Sequence, residues 1–442
     1  MLRKKGMLRR SIFSAAILAA LLLATGPRAK AQDVLADNAW SPYSLFGFGD
    51  LVREGSSYNL SMGGTGIGDR NVRYINTLNP AAVTAREQKS FMMDFGIENR
   101  NTLYRSGDAK SGNNVFNMHH IVASFPIYTH SAFKVGFRPY STVGYKFQSS
   151  EQSDALVSEM GDVRYTQQGK GGIYQAFLGA GVTLWKRLSL GADLNYYFGK
   201  IDRYSQTSFS TSASYRYFNT GWAYNVSCFG GRFGLQYEQP FGGGVSAIVG
   251  VTYDLPMKLR GGENRYAIAE TASSTDTISF RKGSLENYSK PGELGAGLTV
   301  RSDTWSVSLD YKRADWTGID FGGYPGVDFT TGVAQSFRAG FELTPGRYDV
   351  RSGFGHFLRR MSWRGGVYHE RSHLWLGGNQ VTATGVTLGF GIPVFRYYNS
   401  VNVGLDFGQR GSVVPGPVRE RYFLVNVSFN LHDIWFIKLM YN

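Results

Sequence analysis

The sequence predicts an all-β protein: a transmembrane antiparallel β-barrel of about 14 strands with an N-terminal plug, or hatch, in the lumen. Three observations carry this. From about Ser90 onward, apolar and polar residues alternate with period two, which places alternate side chains on opposite faces of a strand. Beyond the N-terminal leader no run of 18 apolar residues occurs, which excludes helices of membrane-spanning length. The 442 residues include 56 Gly, 27 Tyr, 30 Phe and 8 Trp with only 18% charged, and the aromatics gather at strand ends, like the girdles of a barrel.

In chain order, the basic segment MLRKKGMLRR precedes the apolar run SAAILAALLLAT and then Ala29-Lys30-Ala31, a small-x-small cleavage site. Residues 1–31 read as an export signal, with translation starting at Met1 or Met7 and the mature chain at Gln32. The signal holds seven Lys and Arg and no acid, so the formal charge falls from +14 to +7 on cleavage. The remaining cations are scattered among Tyr, Ser and Gly without a dense run, which argues against nucleic acid as a partner. Cys228 is the only cysteine, which excludes an intramolecular disulfide or a cysteine-based zinc cluster.

The stretch SMGGTGIGDRNVRYINTLNPAAVT (61–84) sets Gly63, Gly64, Gly66 and Gly68 before Asn79-Pro80-Ala81. A phosphate-binding loop fails here. Asp69-Arg70 stands where a Walker Lys-Ser/Thr is required, and the third glycine of a dinucleotide fingerprint would fall on Asp69. Residues 32–88 precede the first confident strand and are too many for a simple tail. A wide barrel leaks unless filled, and glycines allow backbone to run close against a wall, so this region reads as the plug. Residues 89–442 read as the barrel, in one domain.

Along the barrel, Phe133, Val135, Phe137, Val143, Tyr145 and Phe147 share one expected face. Leu188, Leu190, Ala192, Leu194, Tyr196 and Phe198 repeat the pattern, as do Trp305 to Tyr311 and Val401 to Phe407. Pro139 interrupts the third strand (132–147), because proline donates no ladder hydrogen bond; a bulge or bend is the plain reading. Trp185-Lys186-Arg187 reads as a tight turn. Segments 205–220, 261–291 and 315–333 read as long outer loops, parts of which extend strands beyond the membrane. No helical segment is expected. The closing strand carries Phe423, Val425, Val427, Phe429 and Leu431 on one face, followed by Trp435, Phe436, Tyr441 and the final Asn442.

The glycine segment leading to Asn79-Pro80-Ala81, together with GVTLGFGIPV (385–394) and SVNVGLDFGQRGS (400–412), resembles the long-chain fatty acid transporter (FadL-like) family of outer-membrane barrels. The resemblance implies a hatch formed by Gly63, Gly64, Gly66, Gly68, Asn79, Pro80 and Ala81, and passive uptake of hydrophobic, fatty-acid-like molecules. It further implies a lateral exit at the kinked third strand, at Pro139. The location implied is the outer membrane of a Gram-negative bacterium, with membrane lipid and a hydrophobic ligand as partners and a monomeric state. Some relatives serve protein export, so a non-transporting scaffold that holds a protein partner in secretion or surface display is the alternative.

His369-Glu370-Arg371-Ser372-His373 spells H-E-x-x-H, but the flanks have strand and turn composition. In a strand the two histidines lie about 13 Å apart, too far for one zinc ion. His119-His120 would point one inward and one outward. With no nucleophile elbow or triad spacing, no catalytic residue, metal site, cofactor or enzyme activity is expected.

Overall fold

The computed structural model describes residues 41–434, apart from residue 88, residues 151–152, 154–156, 159–160, 210–216, 272–273, 285–287, 320, 322–327, 395–398 and 412–417. The expected export signal and the terminal aromatics from Trp435 onward lie outside the described residues.

Fourteen antiparallel strands form a closed wall. They are β1 (Ser90–Ser106), β2 (Ala109–Tyr128), β3 (Ser131–Ser150), β4 (Val163–Leu184), β5 (Leu188–Phe209) and β6 (Tyr217–Pro240). Next come β7 (Ser246–Asp254, resuming at Gly261–Glu270), β8 (Thr275–Ser284, resuming at Glu293–Arg301), β9 (Trp305–Asp315) and β10 (Val333–Leu343). The circuit ends with β11 (Ser362–Leu376), β12 (Asn379–Pro393), β13 (Ser400–Arg410) and β14 (Arg419–Ile434). Each strand pairs with the next, and β14 returns to β1 from Ser90 opposite Ile434 to Arg105 opposite Arg419. Closure removes the open edges of the sheet except along the upper β2–β3 seam, where pairing stops at Ile121 opposite Phe137.

The alternation sets the two faces. Leu190, Leu194, Phe233, Val249, Leu309, Phe341, Val367, Leu388 and Phe429 point outward as an exposed apolar band, while their neighbours Asp193, Arg232, Asp310, Glu342, Arg364 and Asn430 are buried inside. An apolar exterior around a charged interior is stable only with hydrocarbon outside, and the chain is an outer-membrane β-barrel. No helix among the described residues is long and apolar enough to cross a membrane.

Three expectations need correction. Val143 and Tyr145 do not share the outward face of Phe133, Val135 and Phe137 but are buried, because Tyr140 is bulged out of register between Pro139 and Ser141. Much of the expected loops at 205–220 and 261–291 is ladder: β5–β6 and β7–β8 run on as tall hairpins. A helix, Phe354–Arg360, occupies the long connection between β10 and β11, where no helix was expected. The turn at Trp185-Lys186-Arg187 stands as read, with Trp185 and Lys186 both at positive φ, the twist a tight hairpin needs.

Candidate functional site

Residues 41–87 lie against the inward side chains of the wall, and glycines on both sides permit the approach. Gly63 has φ +72° and Gly64 φ +81°, and a Cβ on Gly63 would come within 2.7 Å of the Val367 carbonyl oxygen in β11. From the wall, a Cβ on Gly366 would strike the Met62–Gly63 backbone and one on Gly340 would strike Met62. The Gly63 N–H donates to Thr387 Oγ1 at 2.8 Å, and Asp310 Oδ2 accepts the Gly66 and Ile67 N–H groups at 2.7 and 2.9 Å. Gly66 does not press on the wall: a Cβ there would crowd Asn59 and Leu78 of the segment itself. Gly68 faces Ile248, Gly297 and Thr299.

Asn79 caps a short 3-10 helix, Pro80–Thr84, accepting from the Ala81 N–H at 3.0 Å, with Pro80 at the first helical position where its missing N–H costs nothing. The Asn79 amide also donates to the Ile67 carbonyl at 2.9 Å and across to Leu235 in β6 at 3.2 Å. Asn79 and Ala81 are fully buried, with Gly191 and Gly234 making room in the wall.

Ion pairs also fasten the segment. Glu54 meets three cations from three strands: Arg138 of β3, Arg232 of β6 at 2.8 Å and Lys312 of β9 at 3.2 Å. Its neighbour Arg53 reaches the other way, to Asp406 at 2.6 Å and Glu370 at 3.5 Å, with its guanidinium 3.8 Å above the Tyr368 ring. Burial alone would raise the Glu54 pKa; Arg138, Arg232 and Lys312 hold it well below the ordinary carboxylate value. Asp69 goes the other way: burial pushes it up to about 6 against the pull of Arg301. Arg70 is held by Ser189 and Gln236 at 2.8 and 3.1 Å and by Glu238 at 3.4 Å. Arg73 meets Glu342 at 3.3 Å.

The wall parts at one place. β2 and β3 pair only from Tyr128 opposite Ser131 up to Ile121 opposite Phe137. From Arg138 to Tyr145 every residue except Thr142 is buried, so this stretch of β3 bends inward, still paired to β4. Pro139 lies two residues beyond the last β2–β3 pair. The freed edge of β3 is taken by the inner segment: Asp50 and Leu51 pair with Thr142 and Ser141, Val52 N–H donates to the Tyr140 carbonyl at 2.9 Å, and Ser41 N–H to that of Gly144 at 2.8 Å.

Behind the opening lies a cavity of about 460 Å³ whose lining includes Arg53, Glu98, Arg100, His119, Pro139 and Tyr140. Its walls are mainly apolar but carry ionic side chains. On the loop side an aromatic cluster closes over it, with Phe48 packed on Phe321 and Phe46 on Phe329, each at 4.8 Å.

His119 and His120 are both buried inward, correcting the expectation of one on each face. The β1–β2 register shifts at Gly96, so His119 is an extra residue that turns to the same side as His120, their Nδ1 atoms 3.0 Å apart. Within β11, His369 faces outward and bonds Thr384 Oγ1, whereas His373 is buried against Trp316 after a register shift beyond Arg371. The two histidines thus lie on opposite sides of the wall.

Sequence reasoning missed Arg53-Glu54 and the glycines of the wall. The inward-facing Gly191, Gly234, Gly340 and Gly366 sit at strand positions where a side chain would otherwise fill the lumen, a signal that could have located the inner segment.

Among solved structures, the CymD monoaromatic hydrocarbon channel superposes with a TM-score of 0.53 at 16% identity, covering 87% of this chain and 98% of that one. The Pseudomonas putida toluene transporter TodX gives 0.57 at 13%, covering 87% and 100%, and the Ralstonia pickettii toluene transporter TbuX 0.54 at 15%, covering 86% and 98%. A Pseudomonas aeruginosa FadL homologue gives 0.50 at 9%, covering 88% and 100%. These likenesses show the fold, and the resemblance to fatty acid transporters stands at that level. No curated protein matches the chain. The BamG family model matches residues 7–442, and the chain belongs to the BamG family.

Proposed function

We propose that this barrel passes amphiphilic molecules across the outer membrane and releases them sideways between β2 and β3, with the N-terminal segment acting as its plug. The observation that carries this reading is the parting of the wall at Arg138-Pro139 in front of a cavity. Neighbours of the same fold named as hydrocarbon channels and toluene transporters support it. The ionic lining narrows the ligand: a purely apolar molecule gains nothing from Arg53, Glu98 and Arg100, whereas a molecule with a charged head and an apolar tail fits both the cavity and a lipid-facing exit. Because Glu54 pins the plug, passage needs displacement of the strand that edges β3, residues 41–52, rather than movement of the whole segment.

A second reading is favoured by that same pinning and by the aromatic closure: a barrel that stays shut and acts as a scaffold for a protein partner. Uptake of radiolabelled fatty acid into cells at matched surface expression separates the two. Expressing cells are expected to exceed an empty-vector control several-fold, and Pro139→Val, which restores a ladder donor and favours continued pairing with β2, is expected to remove most of the difference. Expressing cells that match the control for several amphiphiles, with a stoichiometric protein co-purifying, would establish the scaffold instead.

A further inference from the structure

On the outer surface, directly across adjacent strands, Arg313 of β9 stands opposite Gln335 of β10, and Gln335 opposite Arg371 of β11. All three point outward by alternation with the buried or inward Ala314, Ser336 and Glu370. At about 4.8 Å per strand, the two arginine backbones are about 10 Å apart, within reach of one anion between them. Neither arginine has a carboxylate within ion-pair distance among the described residues, in contrast to Arg53, Arg232 and Arg338, although the exposed Asp315 two residues along β9 feels the charge of Arg313. Between them lies an open groove of about 450 Å³, also lined by Thr317, Thr330 and Trp375. The Trp375 indole N–H is buried and without a hydrogen-bond acceptor.

The depth of this groove identifies what fills it. Tyr311 and Phe337, packed 4.7 Å apart, sit one outward step below, at the upper end of the apolar band that begins at Trp305. From Trp305 to Arg313 the strand rises about 26 Å, or about 20 Å along the membrane normal at a tilt of about 40°. The arginines therefore stand one outward step above the Tyr311–Phe337 pair on the loop side, near the outer edge of an apolar band about 25 Å tall. Paired guanidinium groups and threonine hydroxyls form a donor set suited to phosphate oxygens.

We propose that this groove binds the phosphate of a phosphorylated outer-leaflet glycolipid, whose acyl chains lie along the apolar band below. Arg313, Gln335 and Arg371 also border the luminal cavity at this level of the wall, but the proposal concerns their outward side chains and does not depend on the transport reading.

The test is retention of lipid A by the purified full-length barrel in detergent, read by native mass spectrometry. The parent is expected to keep one phosphorylated lipid A, to lose the preference when the lipid is treated with phosphatase, and to keep it in excess inorganic phosphate. The double variant Arg313→Gln with Arg371→Gln is expected to retain about tenfold less, and Arg313→Lys with Arg371→Lys to keep more than the glutamine pair because charge is preserved. Unchanged heat-modifiable migration shows that each variant is folded. Equal retention by parent and glutamine variant, or equal binding of the phosphatase-treated lipid, overturns the proposal. Displacement by inorganic phosphate alone overturns it as well, in favour of a free-phosphate site.

Discussion

Replacing Gly366 with valine is expected to turn a silent barrel into a leaking one. A Cβ at that position would sit on the Met62–Gly63 backbone, closer than real Cβ atoms approach, and backbone on both sides cannot yield as a flexible side chain would. Overpacking of this kind costs about 1–3 kcal/mol and more where nothing relaxes. The β11 ladder itself is undisturbed, because valine suits a strand and Gly366 keeps its pairing with Gly340 and Thr387. The cost therefore falls on the seating of the inner segment. Conductance in planar bilayers should rise from near zero to a steady ionic current, with heat-modifiable migration unchanged. Gly262→Val is the control, since a Cβ there meets nothing nearer than 4.0 Å. A Gly366→Val barrel as silent as its parent would show that something other than residues 41–87 closes the lumen.

The second large effect is expected from Glu54→Gln. Glu54 faces Arg138, Arg232 and Lys312, and removing its charge leaves Arg138 without a carboxylate while Arg232 keeps Asp254 and Lys312 keeps Glu293, where a fully uncompensated buried charge would cost about 3–5 kcal/mol. The Glu54 side chain keeps 17% exposure, which places the effect at the low end. Amide exchange across residues 50–60 should accelerate by at least a hundredfold while strand amides stay protected. Acid should imitate the variant. Because the folded pKa lies well below the ordinary value, the stabilisation is complete above about pH 4.3 and is lost as the pH falls further. Parent and variant should therefore converge at low pH. Equal exchange at pH 7 would mean that Glu54 does not anchor the segment.

Much of the wall was legible because its physics is local. Period two at Leu188 to Phe198, Trp305 to Tyr311 and Val401 to Phe407 is enforced on each strand by lipid outside and charge inside, so each strand declares its own faces. Pro139 was readable for the same reason: a missing N–H interrupts a ladder wherever it occurs. What failed depended on partners. Val143 and Tyr145 looked continuous with Phe133 until the bulge at Tyr140 reversed them, and His119 joined His120 only through a register shift set by β1. The Arg53-Glu54 anchor was invisible because its five ionic partners are spread from Arg138 to Asp406. Gly66 was expected to press on the wall, yet Gly63 and Gly68 do so, a distinction that depends on how the segment turns.

The strand pairing of residues 41–52 with β3 has a bearing on how the molecule is made. Between Tyr140 and Gly144 the main chain of β3 has lost β2, and without the inner segment its amides and carbonyls would stand unsatisfied beside the bilayer, at several kilocalories per mole each. That debt falls due at biogenesis: the third strand can enter hydrocarbon only with the N-terminal stretch already alongside it. The long β1–β14 ladder must then fasten last, around contents already loaded, because Glu54 reaches strands on opposite sides of the lumen. The order of assembly is thus written into the connectivity, with residues 41–52 committed early and the final strand acting as the clasp.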